Sequence, residues 1–322
     1  MIIDDFLTLS EYGGLYCRIG NFYIDPQYPV QQAIISHAHG DHAVPGNIAI
    51  YCTPATAAIM ACRYKKNAGE YFSTYAYNET FSINGVQISF ISAGHILGSA
   101  QILLTYQDTR YLYTGDFKLQ ADLTCAPIEF IKADVLITET TFANPSIQHP
   151  DPIAEIQKLN NSQHHILLGT YALGKAQRLI KLINIHCPNF KILVHYAILP
   201  LNKIYESFGY SLGPYEPYQR KLMKDKVNKY IYMVPPMTFG SYRYAKNVVR
   251  TFASGWEKLQ LHNDIALLIS DHVDWRDIIK TIDNVQPKQI WTLHGDGSLL
   301  KAHYEHQILV KVLTVNGIYE KI

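Results

Sequence analysis

Ser36-His37-Ala38-His39-Gly40-Asp41-His42 closes the short apolar run that begins at Ala33, and it places four potential metal ligands within six residues. With 14 His and 16 Asp in 322 residues, chance produces this arrangement in roughly one chain per thousand. The spacing makes chemical sense. Just past a strand end, His37 and His39 point the same way and share one metal, while Asp41 and His42 turn toward a second. The small residues Ala38 and Gly40 let the backbone wrap closely. The competing reading is a satisfied surface turn rich in histidine, which would win for a single His but not for four ligands in this order.

Working outward, comparable strand ends carry further ligands. His95 closes Ser92-Ala93-Gly94-His95, Asp116 closes Tyr113-Thr114-Gly115-Asp116, and His294 lies in Trp291-Thr292-Leu293-His294-Gly295. Taken singly, His95 reads as a buried hydrogen-bonded residue and Asp116 as a turn residue. Taken with the first cluster they make seven ligands, enough for two cations sharing a bridging hydroxide whose pKa both would lower.

The surrounding pattern is strand-rich up to about residue 140. Leu15 to Ile19 and Phe22 to Ile24 flank a Gly20-Asn21 turn, and Gln101 to Tyr106 and Arg110 to Tyr113 flank Gln107-Asp108-Thr109. Val86 to Ser92 and Val135 to Thr138 read as further strands. After Asn144-Pro145 the pattern changes to βα units: strands at His165 to Leu168 and Lys191 to His195, helices at Ala172 to Ile185 and Leu199 to Phe208. Leu212 to Tyr230 reads as irregular or a surface helix. Ile265 to Ile269, Gln289 to Leu293 and Val312 to Val315 return to short buried strands.

Composition bounds the rest. At 48% hydrophobic the chain buries a full core, and a net charge of +1 gives no global support to a polyanionic partner, although a local basic groove would still steer one. The five cysteines are scattered and form no Cys-x-x-Cys pair, so neither a disulfide framework nor a zinc ribbon is expected. An acidic start without a cationic leader, and no apolar run of membrane-spanning length, make a soluble, cytoplasmic protein the expectation.

The series His-x-His-x-Asp-His, Gly-His, Thr-Gly-Asp and a late His-Gly resembles that of the metallo-β-lactamase superfamily. The resemblance implies an α/β (α+β) fold, an αββα sandwich with metals at one edge. Leu136-Ile137-Thr138-Glu139-Thr140-Thr141-Phe142 and Ser270-Asp271-His272-Val273-Asp274-Trp275 resemble two motifs of the β-CASP nucleases. The resemblance implies that Glu139 orients His272, which protonates the leaving oxygen, and that His294 is a ligand. It assigns His37, His39 and His95 to one metal and Asp41, His42 and His294 to the other, with Asp116 shared. Gly169 to Gln177 resembles the start of the β-CASP cassette, giving a metallo-β-lactamase domain at 1–161, a short inserted cassette at 162–254 and a return at 255–322. A glycine-rich phosphate loop found in RNA-cutting members has no counterpart; Pro235 to Gly240 stands about where it would be.

Thr251 to Trp256 and the Ser-Asp-His-x-Asp-Trp run are most similar to bacterial DNA ligase-associated exonucleases. The implied function is a DNA exonuclease of repair or processing, acting on single-stranded DNA or DNA ends, with a ligase or helicase as partner. Zinc is the expected cation, with manganese as an alternative. The rival readings are a ribonuclease of the same family, an ester or lactone hydrolase of the superfamily, and a scaffold without chemistry. The pair Glu139 and His272 and the inserted segment weigh against the second, and the complete ligand set against the third. The eight other histidines, His303 and His306 included, read as surface or core residues. The tyrosines at 205–244 are core or base-stacking residues. Lys175, Arg178 and Lys181 share one side of the expected helix, either as a solvated face or as a phosphate-tracking stripe.

Overall fold

The computed structural model describes residues 1–225 and 227–313. In chain order the strands are β1 (Leu7–Leu9), β2 (Leu15–Cys17), β3 (Phe22–Ile24), β4 (Gln32–Ile34), β5 (Ala49–Cys52), β6 (Tyr71–Thr74), β7 (Thr80–Ile83), β8 (Val86–Ser92), β9 (Ala100–Tyr106), β10 (Thr109–Tyr113), β11 (Val135–Thr140), β12 (His165–Gly169), β13 (Phe190–Val194), β14 (Glu216–Pro217), β15 (Lys229–Val234), β16 (Val248–Phe252), β17 (Gln289–Gly295) and β18 (Leu309–Val312). The helices are α1 (Pro54–Tyr64), α2 (Pro152–Gln157), α3 (Lys175–His186), α4 (Leu199–Ser207), α5 (Pro236–Ser241), α6 (Trp275–Val285) and α7 (Ser298–His303). The chain divides into two compact units, one of residues 1–121, 126–148 and 272 onward, the other of residues 122–125 and 149–271. The segment 162–254 falls inside the second unit.

Local sequence sets these elements. Thr53 caps α1 by accepting from the Thr56 amide, and Pro54 at the first helical position needs no amide partner. Gln107 and Asp108 both take left-handed φ values, 45° and 62°, the two-residue turn that matches strand twist and joins β9 to β10. β11 lies between β10 and β17 as a parallel strand and is buried at every position, which is why it reads as a continuous apolar run before Glu139.

The first unit holds two sheets, ordered β1-β2-β3-β4-β5-β6 and β18-β17-β11-β10-β9-β8-β7. They bury one core between them: Leu7, Leu15, Phe22 and Ile34 from one sheet meet Phe90, Ile102, Tyr111 and Trp291 from the other. Removing each such side chain from water contributes roughly 1.5–3 kcal/mol. Ile278 and Ile282 of α6 pack on Leu112, Leu136 and Ile290 on the outer face of the second sheet, and α1 buries Ile59 and Met60 beside β6. Helix, sheet, sheet and helix follow in layers, the αββα sandwich expected.

The second unit is a parallel sheet ordered β14-β13-β15-β12-β16, with α3 and α4 in the βα connections anticipated. Two expectations fail here. Residues 265–269 form no strand beyond one bridge between Ser254 and Leu268. Two of their amides go to side chains instead, Leu267 donating to Gln260 Oε1 and Leu268 to Glu155 Oε2, while the Ile269 amide turns back to the Leu267 carbonyl. Of the stretch 212–230, expected to be irregular or a surface helix, Lys229 and Tyr230 instead begin β15, which pairs on both edges with β12 and β13. Of the strand expected at 312–315, residues 314 and 315 lie outside the described residues, and β18 starts three residues earlier.

Asp277, in the first turn of α6, is half-buried, and burial together with the Asp274 carboxylate pushes its carboxyl up to about 6. A raised folded-state pKa gives stability that is fully present below the ordinary carboxylate range and lost as pH rises through about 6. Asp277→Asn is therefore expected to melt above the wild type near pH 7.5 and level with it near pH 4. Solvent screening and the favourable helix N-terminus limit the gain to about 1 kcal/mol. Thermal unfolding at the two pH values checks this.

Candidate metal centre

Every residue singled out as a ligand or proton donor lies in the first unit, and most follow the C-terminal end of a strand. His37 to His42 follow β4, His95 follows β8, Asp116 follows β10, Glu139 is the penultimate residue of β11, and His294 sits near the end of β17.

A carboxylate absent from the sequence reading organises this cluster. Asp25, just after β3, is buried and takes the left-handed φ of 47° that Asp tolerates. It accepts hydrogen bonds from the Ser36 amide at 2.7 Å, the Ser36 hydroxyl at 2.5 Å and the Tyr113 hydroxyl at 3.0 Å. His42 Nδ1 lies 2.8 Å from it. A carboxylate only accepts, so Nδ1 of His42 carries a proton, and Nε2 is the nitrogen whose lone pair a bound cation would take in place of its proton. The same logic reaches His37. The Ser36 hydroxyl spends its proton on Asp25, so it accepts from His37 Nδ1 at 3.0 Å, and Nε2 of His37 is again the lone-pair atom. Its signal in the sequence is Ile24-Asp25-Pro26, one more acid at a strand end.

Those lone pairs converge. His37 Nε2 and His95 Nε2 each lie 3.1 Å from His39 Nδ1, and Asp116 Oδ2 is 3.5 Å from His37 Nε2 and 3.9 Å from His95 Nε2. One proton on His39 cannot satisfy both neighbours, whereas a divalent cation can be shared by all three nitrogens and the carboxylate. Nitrogens about 2.0–2.1 Å from a tetrahedral cation stand roughly 3.3–3.4 Å apart, close to the spacing seen. The donor set therefore fits a metal ion, and the four ligand atoms all lie within 4.8 Å of one another.

His42 Nε2 lies 3.4 Å from Asp116 Oδ2, on the other side of that carboxylate. Asp41 is 3.8 Å from His42 Nε2 with its side chain 73% exposed, and the His294 ring is 5.2 Å from that of His42. These three are near one another but looser than the first group. His294 is placed by an irregularity: the register of β17 on β11 shifts so that Leu293 faces Glu139 and Gly295 faces Thr140, leaving His294 as the extra residue, with φ 50°. A Cβ on Gly295 would stand 2.3 Å from the Thr140 carbonyl oxygen, so the His-Gly pair is a steric requirement of this bulge. Gly115 before Asp116 is alike, with φ 54° and the Ser36 side chain 2.9 Å from where a Cβ would be.

Glu139 and His272 form the second acidic group around Asp116. Glu139 is buried and accepts from the Phe117 amide at 3.1 Å and the Thr141 hydroxyl at 2.7 Å, while His272 Nδ1 lies 2.9 Å from its Oε2 and 3.9 Å from Asp116 Oδ2. The Phe117 amide, the Thr141 hydroxyl and the His272 ring thus surround the Glu139 carboxylate. The His272 side chain is 28% exposed, so the ring reaches solvent.

The charges show what the cluster favours. Burial opposes charge on His42, yet the Asp116 and Asp25 carboxylates outweigh it and hold the ring well above the ordinary histidine range. Burial also opposes charge on Asp116, and His42 and His272 outweigh it, holding the acid well below the carboxylate range. Burial, then His42, drives His37 well below the histidine range, keeping it a neutral donor. The negative potential that holds a proton on His42 is one that attracts a cation.

The stripe at Lys175, Arg178 and Lys181 is not a phosphate track. Lys175 and Arg178 are buried and bound within the second unit, Lys175 to the Ile269 carbonyl and Asp271, Arg178 to the Ser270 carbonyl, Asp271 and Asp122. Lys181 donates to the Ser211 carbonyl. His303 lies edge-on to Trp275, away from any ligand group among the described residues.

No protein-family model matches the chain. Over 298 residues, 88% of its length, it is 29% identical to a probable DNA ligase of Opitutus terrae, covering 28% of that protein. It is 31% identical over 183 residues to an RNase J-like protein of Methanocaldococcus jannaschii, 48% of this chain and 44% of the other. It is 29% identical over 182 residues to cleavage and polyadenylation specificity factor subunit 3 of Dictyostelium discoideum, 53% of this chain and 22% of that one. The chain thus spans less than half the length of these curated relatives. The crystal structure of a protein of unknown function from Enterococcus faecalis V583 matches 98% of this chain and 85% of its own at a TM-score of 0.58 and 16% identity, a likeness of fold. These similarities bear out the resemblance to nucleases of the metallo-β-lactamase superfamily and the fold it implied. Among the described residues no helix is long and apolar enough to cross a membrane.

Asp25→Ala removes the acceptor that sets the protons of His37 and His42. Zinc affinity is expected to fall about 10- to 100-fold, with stability lower by a few kcal/mol from the stranded buried donors. Competition titration against a chelator, with thermal melting alongside, measures both.

Proposed function

We propose that the chain is a metal-dependent phosphodiesterase that degrades DNA from an end. The observation that carries this reading is the hydrogen-bonded pair of Glu139 and His272 beside Asp116, a proton source next to a cation-binding cluster. An acid held by a buried carboxylate suits expulsion of a sugar alkoxide, which needs a proton as it leaves.

Two divalent cations, held by His37, His39 and His95 on one side and Asp41, His42 and His294 on the other with Asp116 between, would supply an activated water and neutralise phosphate charge. Zinc suits the imidazole-rich set, and manganese suits the carboxylates well enough to support turnover. Asp25 fixes the ring tautomers through direct and relayed hydrogen bonds. Glu139 holds His272 by Nδ1, so the proton leaves from Nε2 to the departing 3′ or 5′ oxygen. A partly paired imidazole suits an acid working near neutral pH.

DNA rather than RNA is favoured by a relative aligned over 88% of this chain, a probable DNA ligase; a ligase or helicase working on the same ends is the partner that the resemblance to the ligase-associated exonucleases implies, with repair or processing as the setting. The second unit is read as a short β-CASP-like cassette. Ribonuclease activity is the second reading, favoured by the RNase J-like and cleavage-factor relatives.

End-labelled single-stranded DNA and RNA incubated with zinc or manganese separate these readings. Stepwise loss from one DNA end is expected, abolished by Asp116→Ala and lowered about 10²- to 10⁴-fold by His272→Asn. Preferential loss of RNA would move the assignment to the ribonucleases. If neither polymer were cut while a simple ester was, the nuclease reading would be wrong.

A further inference from the structure

The net charge of +1 hides a strong segregation. Residues 218–250 hold eight of the 28 Lys and Arg but only one of the 27 Asp and Glu, leaving 20 against 26 in the rest of the chain. That segment is therefore basic while the remainder is acidic, the local pattern that steers a polyanion irrespective of the total.

The basic residues share one face of the second unit. Leu222, Met223, Phe239, Tyr242 and Val248 all pack on the cluster formed by Leu167, Leu193, Tyr230, Tyr232 and Val234, so residues 218–224 and 236–248 together roof one face of the five-stranded sheet. Aromatic contacts join the two parts of the roof. Tyr218 stacks on Tyr232 at 3.9 Å, and Tyr232 meets Tyr242 edge-on at 6.2 Å. Arg250 lies over the Phe239 ring and donates to the Arg243 carbonyl.

Outside this packed layer stand Arg220, Lys221, Lys224, Arg243 and Lys246, all exposed. Lys158, Lys175, Arg178 and Lys203 of the same unit, by contrast, are held in ion pairs away from this layer. The one acid of the segment, Asp225, is taken up by the Val227 amide and the Asn228 side chain in its own loop. Among the cations Tyr244 is 80% exposed, its ring covered on one side by the Arg243 guanidinium 5.0 Å away.

We propose that this roof is a binding surface for single-stranded nucleic acid, with phosphates along Arg220, Lys221, Lys224, Arg243 and Lys246 and a base on Tyr244. Exposed cations track a backbone without reading sequence, and an exposed aromatic ring stacks only on a base that is free of its own duplex. For its biological sense the surface rests on the nuclease reading, but its test needs no hydrolysis.

The experiment is fluorescence anisotropy of a labelled oligothymidylate of about 30 nucleotides with the full chain in excess EDTA. The variant Lys221→Glu, Lys224→Glu, Arg243→Glu, Lys246→Glu is set beside a charge-matched control, Lys66→Glu, Lys132→Glu, Lys280→Glu, Lys301→Glu, whose positions lie in the first unit. The roof variant is expected to bind at least about tenfold more weakly, with a salt slope shallower by about 3, near 0.7 for each lost phosphate contact. The control is expected to retain wild-type affinity. Tyr244→Ala, at a position too exposed to disturb folding, is expected to lose at least about fivefold. Equal losses in roof variant and control, no binding by the wild type, or tighter binding of duplex than of single strand would each overturn the proposal. Binding without cleavage would remove the nuclease reading and leave this surface standing. Cleavage with unaltered binding in the roof variant would do the reverse.

Discussion

The carboxylate of Asp25 accepts from the amide and hydroxyl of Ser36, from Tyr113 and from His42, all in a buried setting. Its role is to decide where protons sit. By accepting from His42 directly and from His37 through Ser36, it fixes a proton on each Nδ1 and leaves the two Nε2 atoms as the nitrogens that face Asp116. Leaving such a buried charge without those donors would cost several kcal/mol, so the arrangement is held together by the expense of undoing it. The histidine motif on its own would supply ligand types, and Asp25 supplies their protonation.

The backbone makes a matching contribution. The candidate ligands arrive from separate strands of two sheets, and each must leave its strand at a defined angle. The bulge at His294 and the left-handed turn at Gly115 do this by steric means, since a side chain at Gly295 would collide with the Thr140 carbonyl and one at Gly115 with Ser36. Packing of Trp291, Ile290 and Leu136 into the cores on either side of β11 and β17 then fixes the strands from which Glu139 and His294 project. Rigid core and strained rim act together, as expected where a site must be preorganised.

Much of this was legible in the sequence because its signals are local. The spacing of residues 37–42, the apolar runs ending in His95, Asp116, Glu139 and His294, and the turns at 20–21 and 107–108 depend on neighbours in the chain. What escaped depends on partners far away. Asp25 is one aspartate among sixteen until Ser36, His42 and Tyr113 fold around it. The apolar stretch 265–269 looks like a strand until side chains of Gln260 and Glu155 take its amides. Lys175 and Arg178 look like a surface stripe because helical spacing does not reveal that Asp122 and Asp271 lie against it. The basic roof at 218–250 was masked by summing charge over the whole chain.

The central claim is that the histidine cluster is a preset cation site. Its most direct test is zinc titration by calorimetry into chelator-stripped protein, with metal content measured on the recovered complex. The account predicts about two tightly held equivalents per chain, falling to at most one with Asp116→Ala, the carboxylate placed between the two ligand groups. Weak binding typical of surface histidines, or a stoichiometry untouched by that substitution, would contradict it.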